Sequence, residues 1–235
     1  MQLFYNPKLE EESKHFTFDS FESKHIVKVL RRKVGDELQI TNGRGLFLFA
    51  TITESNAKEC TVAITHHKKI HPTKHHLHLA VAPTKMNDRF EWFLEKATEI
   101  GVHEITPILC ERSERKTVKT ERYEKVIQSA MKQSFQAYLP KLNPLITLAK
   151  FLEKDTQGLL FIAHCEDTER YELKRNIAPD RPITILIGPE GDFTKEEIKK
   201  AKTQDYKPVS MGKTRLRTET AAIVACATVA LINNG

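Results

Sequence analysis

ITILIGPEGDFTKEEIKKA, residues 183–201, decides how the fold is read. Its opening run, Ile-Thr-Ile-Leu-Ile-Gly, lacks polar alternation, as expected of a parallel strand buried on both faces. Thr194 is followed three positions later by Glu197, a capping box that should start a helix at Lys195. Between strand and helix lies Gly188-Pro189-Glu190-Gly191-Asp192-Phe193, a loop with two glycines at the strand's carboxyl end.

The same alternation extends outward in both directions. LHLAVA (77–82), EITPIL (104–109) and LLFIAH (159–164) read as strands, and a short strand is expected near 208–211. Phe90, Phe93, Leu94, Ala97 and Ile100 form a helical stripe, opened by Asp88 with Glu91 as its capping-box partner and ended by Gly101. Tyr123, Val126, Ile127 and Ala130 mark a second helix. TAAIVACATVALI (220–232) is apolar nearly all round, so it should be buried in the core or against another subunit. Strands alternating with helices specify an α/β domain with a largely parallel sheet.

The first 70 residues read differently. A short basic helix at 23–32 precedes GDELQITNGRGLFLFATITES (35–55), where alternating stretches flank the hairpin signal Asn42-Gly43. HHKKIHPTKHHLH (66–78), broken by Pro72, reads as an interdomain linker, dividing the chain into 1–72 and 73–235. Its histidines lack a neighbouring carboxylate or thiolate, so no metal site is expected. His76 and His78 should lie on one face of an exposed strand edge, with Leu77 and Leu79 inward.

Of the 235 residues, 40% are hydrophobic and 29% charged, an ordinary globular balance that excludes a disordered or fibrous chain. The apolar run 221–232 is too short to span a bilayer, and the N-terminus lacks the apolar core of a secretory signal. Cys60, Cys110, Cys165 and Cys226 lie far apart in sequence, which suits a reducing cytoplasm. The net charge of +6 is compatible with a polyanionic partner without identifying one. Its distribution is more informative. Lys24, Lys28, Arg31, Arg32 and Lys33 stand together with no acid among them, and Lys207, Lys213, Arg215 and Arg217 form a second basic stretch.

No P-loop, GxGxxG, GxSxG or HExxH motif is present. Three strand ends carry unusual loops instead: His164-Cys165-Glu166, the 188–193 loop, and 211–220 ahead of the last helix. Ligands of open α/β sheets bind beyond the carboxyl ends of strands, and glycine lets backbone groups approach them. On spacing alone, a cofactor site and a pair of ordinary turns both remain open.

IGPEGDFTKEEI (187–198) with MGKTRLRTETAAI (211–223) resembles the signature pair of the SPOUT class of S-adenosylmethionine-dependent methyltransferases. Within that class the chain resembles the bacterial 16S ribosomal RNA uridine-N3 methyltransferases. KATEIGV (96–102), Glu111-Arg112 and HIVKVLR (25–31) match the same family in order along nearly the whole chain. The likeness implies an N-terminal PUA-like β-barrel that binds RNA and a C-terminal α/β domain with a deep trefoil knot. It also implies a homodimer acting on 16S ribosomal RNA within the small subunit, with S-adenosylmethionine in the knot.

The implied cofactor site comprises His164, Ile187, Gly188, Gly191, Met211, Gly212, Leu216, Arg217 and Thr220. Ile187, Met211 and Leu216 suit an apolar adenine slot. Arg217 is the candidate cation for a developing uracil anion, with Glu219 and Glu190 as candidate proton acceptors. Lys24, Lys28, Arg31 and Arg32, on the outer face of the basic helix, are the candidate phosphate contacts. Asp192 and Met211 depart from the family's usual Gly and Leu. A non-catalytic RNA-binding module and a Rossmann-type nucleotide enzyme are the competing readings; the glycine loops argue against the first, and the absent fingerprint against the second.

Overall fold

Strands without a polar face need cover on both sides, and the sheet that holds the loops described above has it. The structure, a computed structural model, describes residues 2–234. One unit holds the chain up to Pro72 together with Met131–Leu139, and the other holds Thr73–Ala130 and the chain from Pro140 onward.

In the second unit the strands His76–Val81, Glu104–Leu109, Leu159–Ala163, Pro182–Ile187 and Lys207–Ser210 pair in parallel, with short strands at the sheet's margins. The spatial order places Pro182–Ile187 between Leu159–Ala163 and His76–Val81, and Lys207–Ser210 beyond Leu159–Ala163. Ala80, Ile108, Ile162 and Leu186 pack from one face against Phe151 and Ile198, on the helices Leu148–Leu152 and Lys195–Thr203. Two further helices, Asn87–Ile100 and Thr218–Asn234, pack on one another, and the second also packs on the His76–Val81 and Pro182–Ile187 strands.

The Lys195–Thr203 helix starts as expected: Thr194 Oγ1 accepts from Glu197 N, and Glu197 accepts from Thr194 N. The Asn87–Ile100 helix departs from expectation. Met86 occupies its N-cap without a side-chain bond, and Asp88 lies inside the first turn, where it accepts from the adjacent Arg89 N. Glu91 pairs with Asn87 and Arg122 rather than with a cap.

The first unit is a curled sheet in the order Leu3–Tyr5, Glu37–Thr41, Leu46–Glu54, Thr61–Lys69, His15–Thr17. Phe4, Ile26, Ile40, Leu48, Ile52 and Val62 form its core. The hairpin at 42–45 is present, but only its glycines take positive φ. Asn42 instead turns the chain with its side chain, Oδ1 accepting from Arg44 N and Leu46 N. The segment 131–139 joins this unit: Ala137 O accepts from Gly45 N at 2.9 Å, and Leu139 N donates to Gly43 O at 2.9 Å. No periodic signal marks that excursion in the sequence.

The linker is shorter than its composition implies, because His66–Lys69 complete the Thr61–Lys69 strand. Nor is His76–Val81 an edge; it runs between Glu104–Leu109 and Pro182–Ile187. His78 is therefore packed on Phe151, with Nε2 at 2.7 Å from Thr106 Oγ1. Burial pulls its pKa down to about 4. His103 is held to about 4 by burial and by the neighbouring His75 and His76. Its Nδ1 accepts from Leu77 N, so the neutral ring is the one that fits.

In the unfolded chain both rings take up protons below about 6.5, whereas in the fold they stay neutral down to about 4. Protonation therefore favours unfolding, and stability falls as pH drops from about 6.5 towards 4. Between pH 7 and pH 5 the His78 ring should remove about 2 kcal/mol, and the less buried His103 a smaller amount. Urea unfolding at the two pH values checks this. His78→Gln should destabilise the protein at pH 7 and flatten the loss on acidification by roughly one ring's share.

Candidate active site

Because neighbouring strands pair in register, Ala163 lies beside both Ile187 and Val209, and the three carboxyl ends are level. The loops that follow enclose a cavity of about 300 Å³. Its apolar lining includes Ile187, Met211 and Leu216, which gives the expected slot for a flat aromatic group. Gly188, Gly212, His164 and Arg217 also line it. Gly212 has φ +146°, a conformation side chains avoid, and nothing stands within 4 Å of where a Cβ would project.

Three other expected residues sit elsewhere. Gly191 packs against Arg112, whose Nη1 donates to the Gly191 carbonyl at 3.0 Å. Thr220 does not line the cavity, and neither does Glu219. Thr218, absent from the expected set, lies at the rim, where its Oγ1 donates to Gly188 O at 2.9 Å. That buried bond ties the start of the last helix to the 188–193 loop. Arg170 was also missed; its Nη1 donates to His164 O at 2.7 Å from a loop with no motif of its own.

Asp192 stands at φ +64°, which explains why glycine suits this position. Asp tolerates this conformation better than most residues. Its N–H donates to Pro189 O at 2.9 Å and closes the turn. Oδ2 accepts from Cys165 N at 2.7 Å, and Oδ1 from Phe193 N at 2.9 Å. The carboxylate is thus a latch joining two loops.

Several polar atoms in the region have no partner among the described residues. His164 is 4% exposed, and neither ring nitrogen is hydrogen-bonded. Burial lowers its pKa, so the ring is neutral and presents one donor and one acceptor. Glu190 Oε1 accepts from Lys85 N at 2.9 Å, while Oε2 is buried and unbonded. Glu219 is 7% exposed; Oε1 is 3.9 Å from Arg89 Nε, and Oε2 has no partner. Its carboxylate thus faces Arg89 rather than Arg217, and Arg217, exposed on the cavity wall, forms no ion pair among the described residues. Unbonded buried polar atoms beside an apolar slot fit a nucleoside-like cofactor with polar substituents.

The chain matches the RNA methyltransferase domain family over residues 71–230 and the RNA methyltransferase PUA domain over residues 21–65. It is 31% identical to a Rickettsia conorii protein named ribosomal RNA small subunit methyltransferase E, over 99% of this chain and 96% of the relative. The crystal structure of a probable rRNA-methyltransferase from Porphyromonas gingivalis covers 100% of this chain and 99% of its own, with 38% identity and a TM-score of 0.92. A Legionella pneumophila protein solved with the bound cofactor SAM is 27% identical, with 98% and 97% coverage and a TM-score of 0.87.

The latch generates a direct test. Asp192→Gly suits the backbone and should fold, but should raise hydrogen exchange at the Cys165 amide by roughly tenfold, the scale of one charged hydrogen bond. It should also weaken S-adenosylmethionine binding several-fold by calorimetry. Asp192→Asn, which keeps an acceptor, should retain most of both.

Proposed function

Because the chain belongs to the ribosomal RNA small subunit methyltransferase E family, we propose that it methylates N3 of a uridine in 16S ribosomal RNA. It is an S-adenosylmethionine-dependent RNA methyltransferase. The observation that carries the reading is the cavity at three level strand ends, with its apolar slot, the unbonded His164 ring and the free Arg217.

The cofactor, when bound, supplies an electrophilic methyl group. Ile187, Met211 and Leu216 would hold its adenine, and His164 would offer a donor and an acceptor to its polar edge. The latched loops fix the reacting groups, the main source of rate in an in-line transfer. Uracil N3 is a poor nucleophile while protonated. Arg217 stabilises the anion as that proton leaves. Of the two candidate acceptors, Glu190 lines the cavity and Glu219 does not, which favours Glu190 Oε2 over Glu219.

The family likeness also supports a trefoil knot around the 211–220 segment, an exception to the rule against threaded chains. Ala222, Ala225, Cys226 and Val229 bury one side of the last helix, while Leu231 is 76% exposed and Ile223, Val224 and Ala227 are half-buried. An apolar outer face of that kind fits a homodimer. The assembled small subunit is the substrate we favour, met in the cytoplasm; among the described residues, no helix is long and apolar enough to cross a membrane. Lys24, Lys28 and Arg31 are exposed and suited to RNA phosphates. Arg32 is half-buried beyond the helix and lies 3.9 Å from Asp36, so its share is smaller.

Incubation with S-adenosylmethionine and small subunits lacking the modification should yield N3-methyluridine by nucleoside mass spectrometry. No transfer, or transfer to another nucleotide, overturns the assignment. Gly212→Val should weaken cofactor binding at least tenfold. Arg217→Ala should lower kcat roughly 10²-fold or more.

A further inference from the structure

Phe21 has no role in the packing of its own unit: it is 79% exposed. It sits on the helix Ser20–Lys24, which Asp19 caps by accepting from Glu22 N at 2.8 Å. The helix continues as one wider turn, His25–Val29, and ends where Arg31 takes φ +54°. The expected helix 23–32 therefore starts earlier and stops sooner, leaving Arg31 and Arg32 outside it. Its inner side is fixed, with Ser23 and Ile26 fully buried and Ser23 Oγ accepting from Cys60 N at 2.8 Å.

The outer side is left with both apolar and cationic groups. Val29 is 67% and Val34 62% exposed, so three of the eight large exposed hydrophobics among the described residues fall within positions 21–34. Lys24, Lys28, Arg31 and Lys33 are exposed, and none forms an ion pair among the described residues. Two nearby acids are already engaged: Glu22 lies 3.1 Å from Lys132 Nζ, and Asp36 lies 3.9 Å from Arg32. Phe21, Lys24 and Lys28 are one helical turn apart, so ring and ammonium groups share one side.

Free cations beside a solvent-exposed ring complement a ligand that alternates phosphates with flat bases. A duplex hides its base faces; an unpaired strand presents them. We propose that Phe21 is a stacking platform for an unpaired RNA base, with Lys24 and Lys28 holding the adjoining phosphates. This rests on the reading of the N-terminal unit as an RNA-docking unit, and adds to it a contact with a base.

The test compares two labelled probes on the full chain by fluorescence anisotropy: a short oligouridine, and an abasic ribose-phosphate oligomer of equal length. The parent should prefer the oligouridine. Phe21→Ala should weaken that probe at least fivefold and abolish the preference, leaving the salt dependence unchanged. Phe21→Trp should restore binding and Phe21→Leu should not. Lys28→Ala should weaken both probes and lower the salt slope by about one. If Lys28→Ala weakens binding and Phe21→Ala does not, the stacking platform is wrong and docking stands. If neither does, the docking reading itself fails. A change in oligomeric state on Phe21→Ala, by sedimentation, would assign this face to a second copy and overturn the proposal.

Discussion

Level parallel pairing of Leu159–Ala163 with Pro182–Ile187 and Lys207–Ser210 is the constraint on which the site depends. Parallel strands point their carboxyl ends the same way, so three loops distant in sequence meet above one edge of the sheet. Apolar cover on both faces makes that arrangement stable, since a strand such as Ile183–Ile187 has no side that tolerates water. The chemistry is therefore placed by burial elsewhere in the domain, and the loops need only supply the groups.

Two bonds couple these loops. Thr218 Oγ1 to Gly188 O joins the last helix to the 188–193 turn, and Asp192 Oδ2 to Cys165 N joins that turn to the loop after Ala163. Both use backbone groups that would otherwise lack partners, so they stabilise the loops while holding them in a binding shape. Two of the side chains with unbonded atoms, His164 and Glu190, line the same cavity, while Glu219 lies outside its lining. An RNA methyltransferase has this need: polar groups kept unsatisfied until substrate and cofactor arrive, within loops that do not have to move far.

Much of the second unit was legible because its signals are local. The apolar run at 183–187 and the Thr194–Glu197 box each settle their own element, and the family likeness rests on the same loops. Apart from Asp88, the missed features depend on tertiary partners. Asp88 has the composition of a cap, but its carboxylate bonds the next residue instead. His78 looks like an edge residue until a neighbouring strand covers it. Residues 131–139 carry no pattern that sends them to the first unit, because backbone bonds to Gly43 and Gly45 hold them there. Ile187, Gly188, Met211, Gly212, Leu216 and Arg217, which the family likeness implied, all line the cavity. Thr218 lies within the 211–223 motif, but its bond to Gly188 O exists only once the two loops meet, and Arg170 belongs to no motif.

The three latched loops are the proposed S-adenosylmethionine site. A crystal structure of the protein grown with saturating S-adenosylmethionine tests it most directly. Density for the adenine should appear among Ile187, Met211 and Leu216, with His164 bonded to the ligand. Cofactor density anywhere else on the chain, or none in this cavity at saturation, would contradict it.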